Sequence, residues 1–325
     1  MQRYDFNPTY QSFCRKKIFP SSLPHCSDSP LPQPLHPPPP NPVQQQFLSP
    51  IAFFFLSLQI EDPCHRCRNT MCGTPLQRPP SHPDNNIHMQ GPRTDDTQKL
   101  FNSIAPTYDS LNHWLSLGID RTWRRRSLRH IVDKSRPQQI LDIACGTGDY
   151  SLAIARHSHP DTRVQGIDLT EAMLQVMRSK VAAAGLSHRI TAEQGNCEAL
   201  PYPADSFDRA TIAFGIRNFE HREQALREIL RVLRPGGRLA ILELSVPANP
   251  LLRGCYNLYF TRLLPFIGGL VSGQRAAYRY LPASVLRFPG KKEWMDTMRR
   301  CGYHNVSHRA YTLGICRLYI GEKQQ

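Results

Sequence analysis

Residues 89–325 predict a doubly wound α/β domain: a mostly parallel, seven-stranded sheet with helices on both faces and the last strand antiparallel. Three observations predict it. Short apolar runs alternate with segments of helical period from residue 95 onward. The run Gln139–Ala144, buried in character through Ile140, Leu141 and Ile143, leads straight into the glycine turn Gly146-Thr147-Gly148 and then a helix. The two final strand-like segments are joined by a link too short for a crossover, which forces antiparallel pairing.

Taken in order, Thr97–Ser103 and Tyr108–Ile131 read as leading helices separated by Pro106. Gln139–Ala144 is the first strand, Gly148–His157 a helix and Arg163–Asp168 the second strand. Glu171–Ala184 is a helix stopped at Gly185, where a left-handed residue ends the chain's helical run. Arg189–Gln194 and Phe207–Phe214 are the third and fourth strands. In His221–Leu233, apolar Ala225, Ile229 and Val232 recur at helical spacing. Pro235-Gly236-Gly237 turns the chain into a fifth strand, Arg238–Leu244. Pro289–Cys301 is the last helix, and Tyr303–Ala310 with Leu313–Tyr319 forms the closing hairpin.

Residues 1–88 have a different composition. They hold 17 of the 29 prolines, including Pro37-Pro38-Pro39-Pro40. Proline fixes φ and removes an amide donor, so such a segment pairs poorly into helix or sheet and reads as a disordered, Pro-rich leader. The change just before Met89 suggests that the natural protein starts there. Within the leader, Cys64-His65-Arg66-Cys67 and Cys72 give half of a zinc pattern, and the second pair of ligands is missing. Ile51–Leu58 is too short to cross a bilayer.

Of 40 basic and 26 acidic residues, 33 and 21 fall in 89–325, leaving that part at +12. Such a surplus favours an anionic partner, a nucleic acid or a negatively charged membrane surface. The five scattered cysteines Cys145, Cys197, Cys255, Cys301 and Cys316 read as reduced thiols of a cytoplasmic protein.

The strongest local signal is Leu141-Asp142-Ile143-Ala144-Cys145-Gly146-Thr147-Gly148-Asp149. Gly146 and Gly148 let the backbone bend sharply and a ligand come close. Asp168 ends the second strand, where a carboxylate can accept from both hydroxyls of a ribose. The dinucleotide pattern G-x-G-x-x-G fails, because its third glycine is Ser151, so the ligand need not carry a pyrophosphate. Asn196, after the third strand, reads equally as an adenine partner or as a turn former.

Cys145-Gly146-Thr147-Gly148, Asp168, the stretch from Pro201 to Phe207-Asp208 and Leu233-Arg234-Pro235-Gly236-Gly237 together resemble a class I S-adenosylmethionine methyltransferase of Rossmann-like fold. More specifically, the chain resembles the ubiquinone/menaquinone biosynthesis C-methyltransferase family over about 225 residues, from Phe101 to beyond Ile315. Three stretches carry that likeness: Ser116-Leu117-Gly118-Ile119-Asp120-Arg121-Thr122-Trp123-Arg124, Phe214-Gly215-Ile216-Arg217-Asn218 and Tyr278–Val285. The resemblance implies S-adenosyl-L-methionine as cofactor, held by Gly146, Thr147, Gly148, Asp168, Asn196 and Cys197. Ala213 stands where many relatives have a serine, and Cys145 where a glycine is common.

It also implies C-methylation of a prenylated quinol, demethylmenaquinol on the menaquinone branch or a benzoquinol on the ubiquinone branch. Such a reaction needs orientation, management of a phenolic proton and dry surroundings, with no metal. Arg217 is the candidate for stabilising the phenolate, with pairing to Glu220 or Glu243 as its structural alternative. Tyr108 and Asp109 lie in the leading segment and are candidates for orienting the substrate.

Leu251–Leu281 mixes Leu252, Tyr256, Tyr259, Phe260, Leu263 and Phe266 with Arg253, Arg262, Arg275 and Arg279. It suits a prenyl tail or peripheral contact with membrane lipid on the inner face of the cell membrane, or else a lid or a homo-oligomer contact. A nucleic-acid binder is the rival of another class. The arginines are dispersed, however, and no base-flipping loop follows the fourth strand, so no nucleic-acid partner is expected.

Overall fold

The structure is a computed structural model that describes residues 91–116, 118–259 and 275–325. The leader, with its half zinc pattern and its apolar run, and the centre of the basic insert lie outside the described residues.

The helices are α1 (Thr94–Ile104), α2 (Tyr108–Leu115), α3 (Ile119–Leu128), α4 (Asp149–His157), α5 (Glu171–Ala183), α6 (Arg222–Val232), α7 (Pro250–Leu258), α8 (Arg275–Arg287) and α9 (Lys291–Arg300). The strands are β1 (Gln139–Ile143), β2 (Arg163–Asp168), β3 (Ile190–Gln194), β4 (Phe207–Ala213), β5 (Leu233–Leu244), β6 (His304–Tyr311) and β7 (Cys316–Glu322). They form one sheet in the order β3-β2-β1-β4-β5-β7-β6. Pairing is parallel from β3 through β5, and β7 runs antiparallel to both its neighbours. The expected doubly wound sheet with a reversed last strand is the observed one.

β1 shows why the central strands read as apolar runs: both its faces are covered. Ile140 packs with α3, α4 and α5 side chains such as Trp123, Ile154 and Leu174 on one face. Leu141 and Ile143 pack with Leu226, Ile229 and Trp294 from α6 and α9 on the other. Asp142 shares the Ile140 face, where its buried carboxylate accepts from Ser151 (2.5 Å) and Thr211 (2.8 Å). Ser151, the residue that breaks the dinucleotide pattern, is therefore part of this inner polar contact. Gly148 lets the start of α4 pack closely against α5, since a Cβ there would sit 2.5 Å from Met177 Cγ.

Strand order reverses between β1 and β4, and the loops that follow these two strands open a crevice there, where open α/β sheets bind ligands. Ala144 (φ 52°) and Phe214 (φ 63°), the residues just past each strand, are both left-handed. Backbone held this way without glycine is costly and concentrates at functional sites.

Three expectations need correction. The long helix Tyr108–Ile131 is two helices, broken at Gly118 (φ 75°). The turn Pro235-Gly236-Gly237 does not precede the fifth strand but lies inside it. It is accommodated as a register shift against β4 with Gly236 at φ 73°. The last strand starts three residues late, at Cys316, because Thr312–Gly314 forms a tight 3-10 turn with Leu313 left-handed and half exposed. The stretch Leu251–Leu281 contributes two helices, α7 and α8, around its undescribed centre.

Candidate active site

Two cavities meet at the crevice. The first, about 700 Å³ and open on one side, is lined by Phe101, Ala144, Gly146, Asp168, Leu169, Met173, Asn196, Cys197, Glu198, Ala213 and Asn218, among others. The second, about 690 Å³, is lined by Asn112, Ser116, Ile119, Asp120, Trp123, Arg124, Arg217, Leu244, Tyr259, Leu281 and Ile315. Tyr108 and Phe214 belong to both linings, so they form the partition between the two.

The first cavity is polar at its floor and apolar at its sides. Asp168 is placed by the end of β2 and buried. One carboxylate oxygen accepts the Gly146 amide at 2.9 Å, the other the Thr170 amide at 2.9 Å. Burial nonetheless pushes its carboxyl above the ordinary range, with those amides opposing the shift. Asn196 turns its side-chain oxygen back to the Glu198 amide (2.8 Å), so the turn-forming reading is correct, and it still lines the cavity. Cys197 is a buried thiol whose pKa burial raises. Leu169 and Met173 complete the apolar wall beside it.

Thr147 and Asp109 stand elsewhere. The Thr147 hydroxyl donates to Asp109, and Asp109 also pairs with Lys180 at 2.8 Å. Neither lines the first or the second cavity. Asp109 ties α2 to the glycine turn and to α5. Gly148 likewise serves packing, whereas Gly146 lies in the lining.

The second cavity has an aromatic and cationic end. Trp123 and Phe214 face each other at 6.2 Å between ring centres, and the Arg124 guanidinium lies 5.0 Å over the Phe214 ring. Arg217 is buried. Its Nη1 donates to Glu243 (2.9 Å) and to the Phe214 carbonyl, and its Nε to Ser284 at 3.2 Å. The structural alternative of a Glu243 pair is therefore real, and Arg217 lines the cavity while held by it. Burial opposes its charge, but Glu243 and then Tyr108 outweigh this and hold its pKa above the ordinary arginine value. Desolvation raises the Tyr108 hydroxyl, with Arg217 opposing, so this phenol stays protonated and is a hydrogen-bond donor at neutral pH.

Several lining residues were not singled out from sequence: Phe101, Leu169, Met173 and Glu198 on one side, Asp120, Trp123, Arg124 and Phe214 on the other. Asp120, Trp123 and Arg124 stand in the stretch Ser116–Arg124 that carried the resemblance, and their i, i+3 and i+4 spacing on one helix turn was the available signal.

The family described as ubiE/COQ5 methyltransferase matches residues 89–323. The chain belongs to this family. It is 49% identical over 224 residues to the ubiquinone/menaquinone biosynthesis C-methyltransferase UbiE of Geobacter sulfurreducens, covering 69% of this chain and 87% of that protein. It is 45% identical over 227 residues to a demethylmenaquinone methyltransferase of Deinococcus radiodurans, covering 70% and 92%. The Bacteroides fragilis protein of the same name is 40% identical over 233 residues, covering 72% and 94%. Solved structures share the fold at low identity. A SAM-dependent methyltransferase of Thermotoga maritima superimposes with a TM-score of 0.50 at 18% identity, over 70% of this chain and 99% of that one. The cyclase SpnF gives 0.54 at 17% identity, over 73% and 98%. That a cyclase shares the ubiE/COQ5 fold shows why the chemistry must be argued from the two cavities.

Proposed function

We propose that this chain transfers the methyl group of S-adenosyl-L-methionine to a ring carbon of a prenylated hydroquinone, with demethylmenaquinol as the substrate. The observation that carries this reading is the pair of cavities with a shared wall at Tyr108 and Phe214, one polar and carboxylate-floored, the other aromatic, apolar and cationic. The names of the relatives point to the same chemistry, and those of the UbiE proteins cover ubiquinone as well as menaquinone, so a prenylated benzoquinol stands as the second substrate.

The first cavity fits the cofactor by the chemistry of its donor set. Asp168 sets a buried carboxylate in the lining to accept from a sugar hydroxyl, Leu169, Met173 and Cys197 offer an apolar slot for a base, and Gly146 brings bare backbone to the floor. When bound, the cofactor supplies an electrophilic methyl group on sulfonium. The chain's own residues do the rest. Tyr108, a neutral phenol in the partition, can donate a hydrogen bond to a ring oxygen. Arg217, kept charged by Glu243, places positive charge where phenolate develops in a site walled by aromatic side chains. Trp123, Phe214, Leu281 and Ile315 keep water from the ring.

Residues 89–325 would contain the whole activity, a reading supported by the family match over 89–323. For the prenyl tail and for lipid, the support is the exposed apolar surface of α7 and α8: Leu251 is 78% exposed, Leu258 65% and Leu286 52%. No helix among the described residues is long and apolar enough to cross a membrane.

Arg217→Ala tests the ring side of this reading. It is expected to lower kcat by about 10²-fold or more while the Kd for S-adenosyl-L-methionine, measured by calorimetry, stays put. Normal turnover would remove Arg217 from the reaction.

A further inference from the structure

Methylating a quinol ring carbon releases one proton into a cavity walled by aromatic and aliphatic side chains, and Arg217 cannot take it, being held charged by Glu243. A second set of groups opens on the same cavity. Asp120 and Ser116 both line it, and the Ser116 hydroxyl donates to Asp120 at 2.7 Å. Asp120 is only 4% exposed. Behind it lies His113 of α2, with Nδ1 3.0 Å from Asp120 Oδ2 and Nε2 3.3 Å from Asp149 Oδ2. Asp149, the first residue of α4, is about a quarter exposed. A neutral imidazole carries one N–H and satisfies one of these carboxylates, whereas the protonated ring satisfies both.

We infer that Asp120, His113 and Asp149 form the outlet through which the substrate's proton leaves the ring cavity. This rests on the quinol reading above. The groups facing His113 are Asp120 and Arg124 from α3 and Asp149 from α4, while Lys180 of α5 bridges Asp149 and Asp109. Arg124 also lines the cavity and donates to Asp120 through Nη1, yet its Nε is buried with no hydrogen-bond partner. A buried donor left unpaired is costly, and a phenolic oxygen beside Asp120 would satisfy it.

The step balances. The phenolic O–H breaks, and its proton passes by way of Asp120 to His113, forming an N–H bond there. The oxygen's electron pair drives the ring carbon to form a C–C bond with the methyl group as the C–S bond breaks, leaving that bond's electrons on sulfur. Loss of the hydrogen on the methylated carbon restores the aromatic phenolate. Of the two protons released, one returns to the phenolate oxygen and one leaves by Asp149. Burial opposes the charge on Asp120, but Arg124, Ser116 and His113 outweigh it and hold its carboxyl below the ordinary range. Asp120 touches the substrate; His113 and Asp149 act through it as positioning residues.

The test uses the full chain, wild type against His113→Gln and Asp149→Asn, with two readouts. The first is kcat against pH with demethylmenaquinol and S-adenosyl-L-methionine. His113→Gln should lower kcat by about 10²-fold and change the shape of the pH profile, with the cofactor KM unchanged; Asp149→Asn should change that profile too. The second is the visible absorbance of bound 4-nitro-1-naphthol, a phenol whose anion is coloured. Wild type should bind it as the anion at a pH where His113→Gln binds it neutral. A structural role for His113 would leave the probe's ionisation unmoved. Probe spectra identical in wild type and both variants, or His113→Gln keeping the wild-type pH profile, would overturn the outlet. Wild type that ionises the probe but forms no methylated quinol would leave the outlet standing and defeat the quinol reading instead.

Discussion

At the residue scale the account turns on three buried acids with different duties. Asp168 accepts the Gly146 and Thr170 amides and lines the first cavity. Charge-assisted hydrogen bonds are worth about 1.5–3 kcal/mol, so Asp168→Ala should weaken S-adenosyl-L-methionine binding by about tenfold or more in calorimetry. Unchanged affinity would remove Asp168 from the cofactor site. Glu243 fixes Arg217 and never meets the cavity lining. Asp142 touches neither cavity and is a cost to the fold. Burial pushes its carboxyl up to about 6, with Ser151 and Thr211 opposing. An acid whose folded pKa is raised binds more protons folded than unfolded, so its contribution is full below the unfolded pKa near 3.8 and is lost as pH rises through about 6. The charged form therefore costs on the order of 3 kcal/mol at neutral pH. Asp142→Asn keeps the shape, and both hydroxyl partners can donate or accept. It should raise the urea-unfolding free energy above pH 6 and change it little below pH 4. Equal effects at both pH values would contradict the buried-charge argument.

At the scale of elements, the site exists because loops and a broken helix converge on the carboxyl ends of the central strands β1 and β4. The glycine turn after β1 shows two glycines with different reasons. Both are left-handed, Gly146 at φ 54° and Gly148 at φ 81°. An added Cβ at Gly146 meets nothing nearer than Tyr108 Cε1 at 4.0 Å, whereas at Gly148 it meets Met177 Cγ at 2.5 Å. Gly146→Ala should then cost only the left-handed backbone penalty, about 1–2 kcal/mol. Gly148→Ala adds overpacking of about 1–3 kcal/mol and should lower Tm by several more degrees in a thermal melt. Equal melting points for the two variants would refute the packing role. Here the sequence was legible in part. The strand, the turn and Asp168 could be read because their spacing along the chain is local. That Gly148 seats Met177, 29 residues on, was not, because the contact is across the α4–α5 layer. The break at Gly118 was also hidden, since the apolar period runs through it from α2 to α3. It matters, because the break is what brings His113 and Ser116 onto Asp120.

For the molecule as a whole, the doubly wound sheet was readable from alternation, and the reversed last strand from a short link. Its bounds were not: Leu313–Tyr319 read as the strand, while the 3-10 turn Thr312–Gly314 moves pairing to Cys316–Glu322. Of the site, the half built from consecutive motif residues was visible. The ring cavity was not, because it is assembled from α2, α3, β5, α8 and the β6–β7 turn, which lie far apart in the chain. Arg217 illustrates the mixture. Its position after β4 marked it, and only the folded chain shows that Glu243 holds it and that Phe214 separates it from the cofactor side. The two-cavity arrangement is the central claim, and it predicts where a methyl group goes. The direct measurement is to incubate the chain with methyl-13C S-adenosyl-L-methionine and demethylmenaquinol under reducing conditions and to locate the label by mass spectrometry and NMR. The account predicts one labelled methyl on a ring carbon of the quinol; no label in the quinol, or label on a phenolic oxygen, would contradict it.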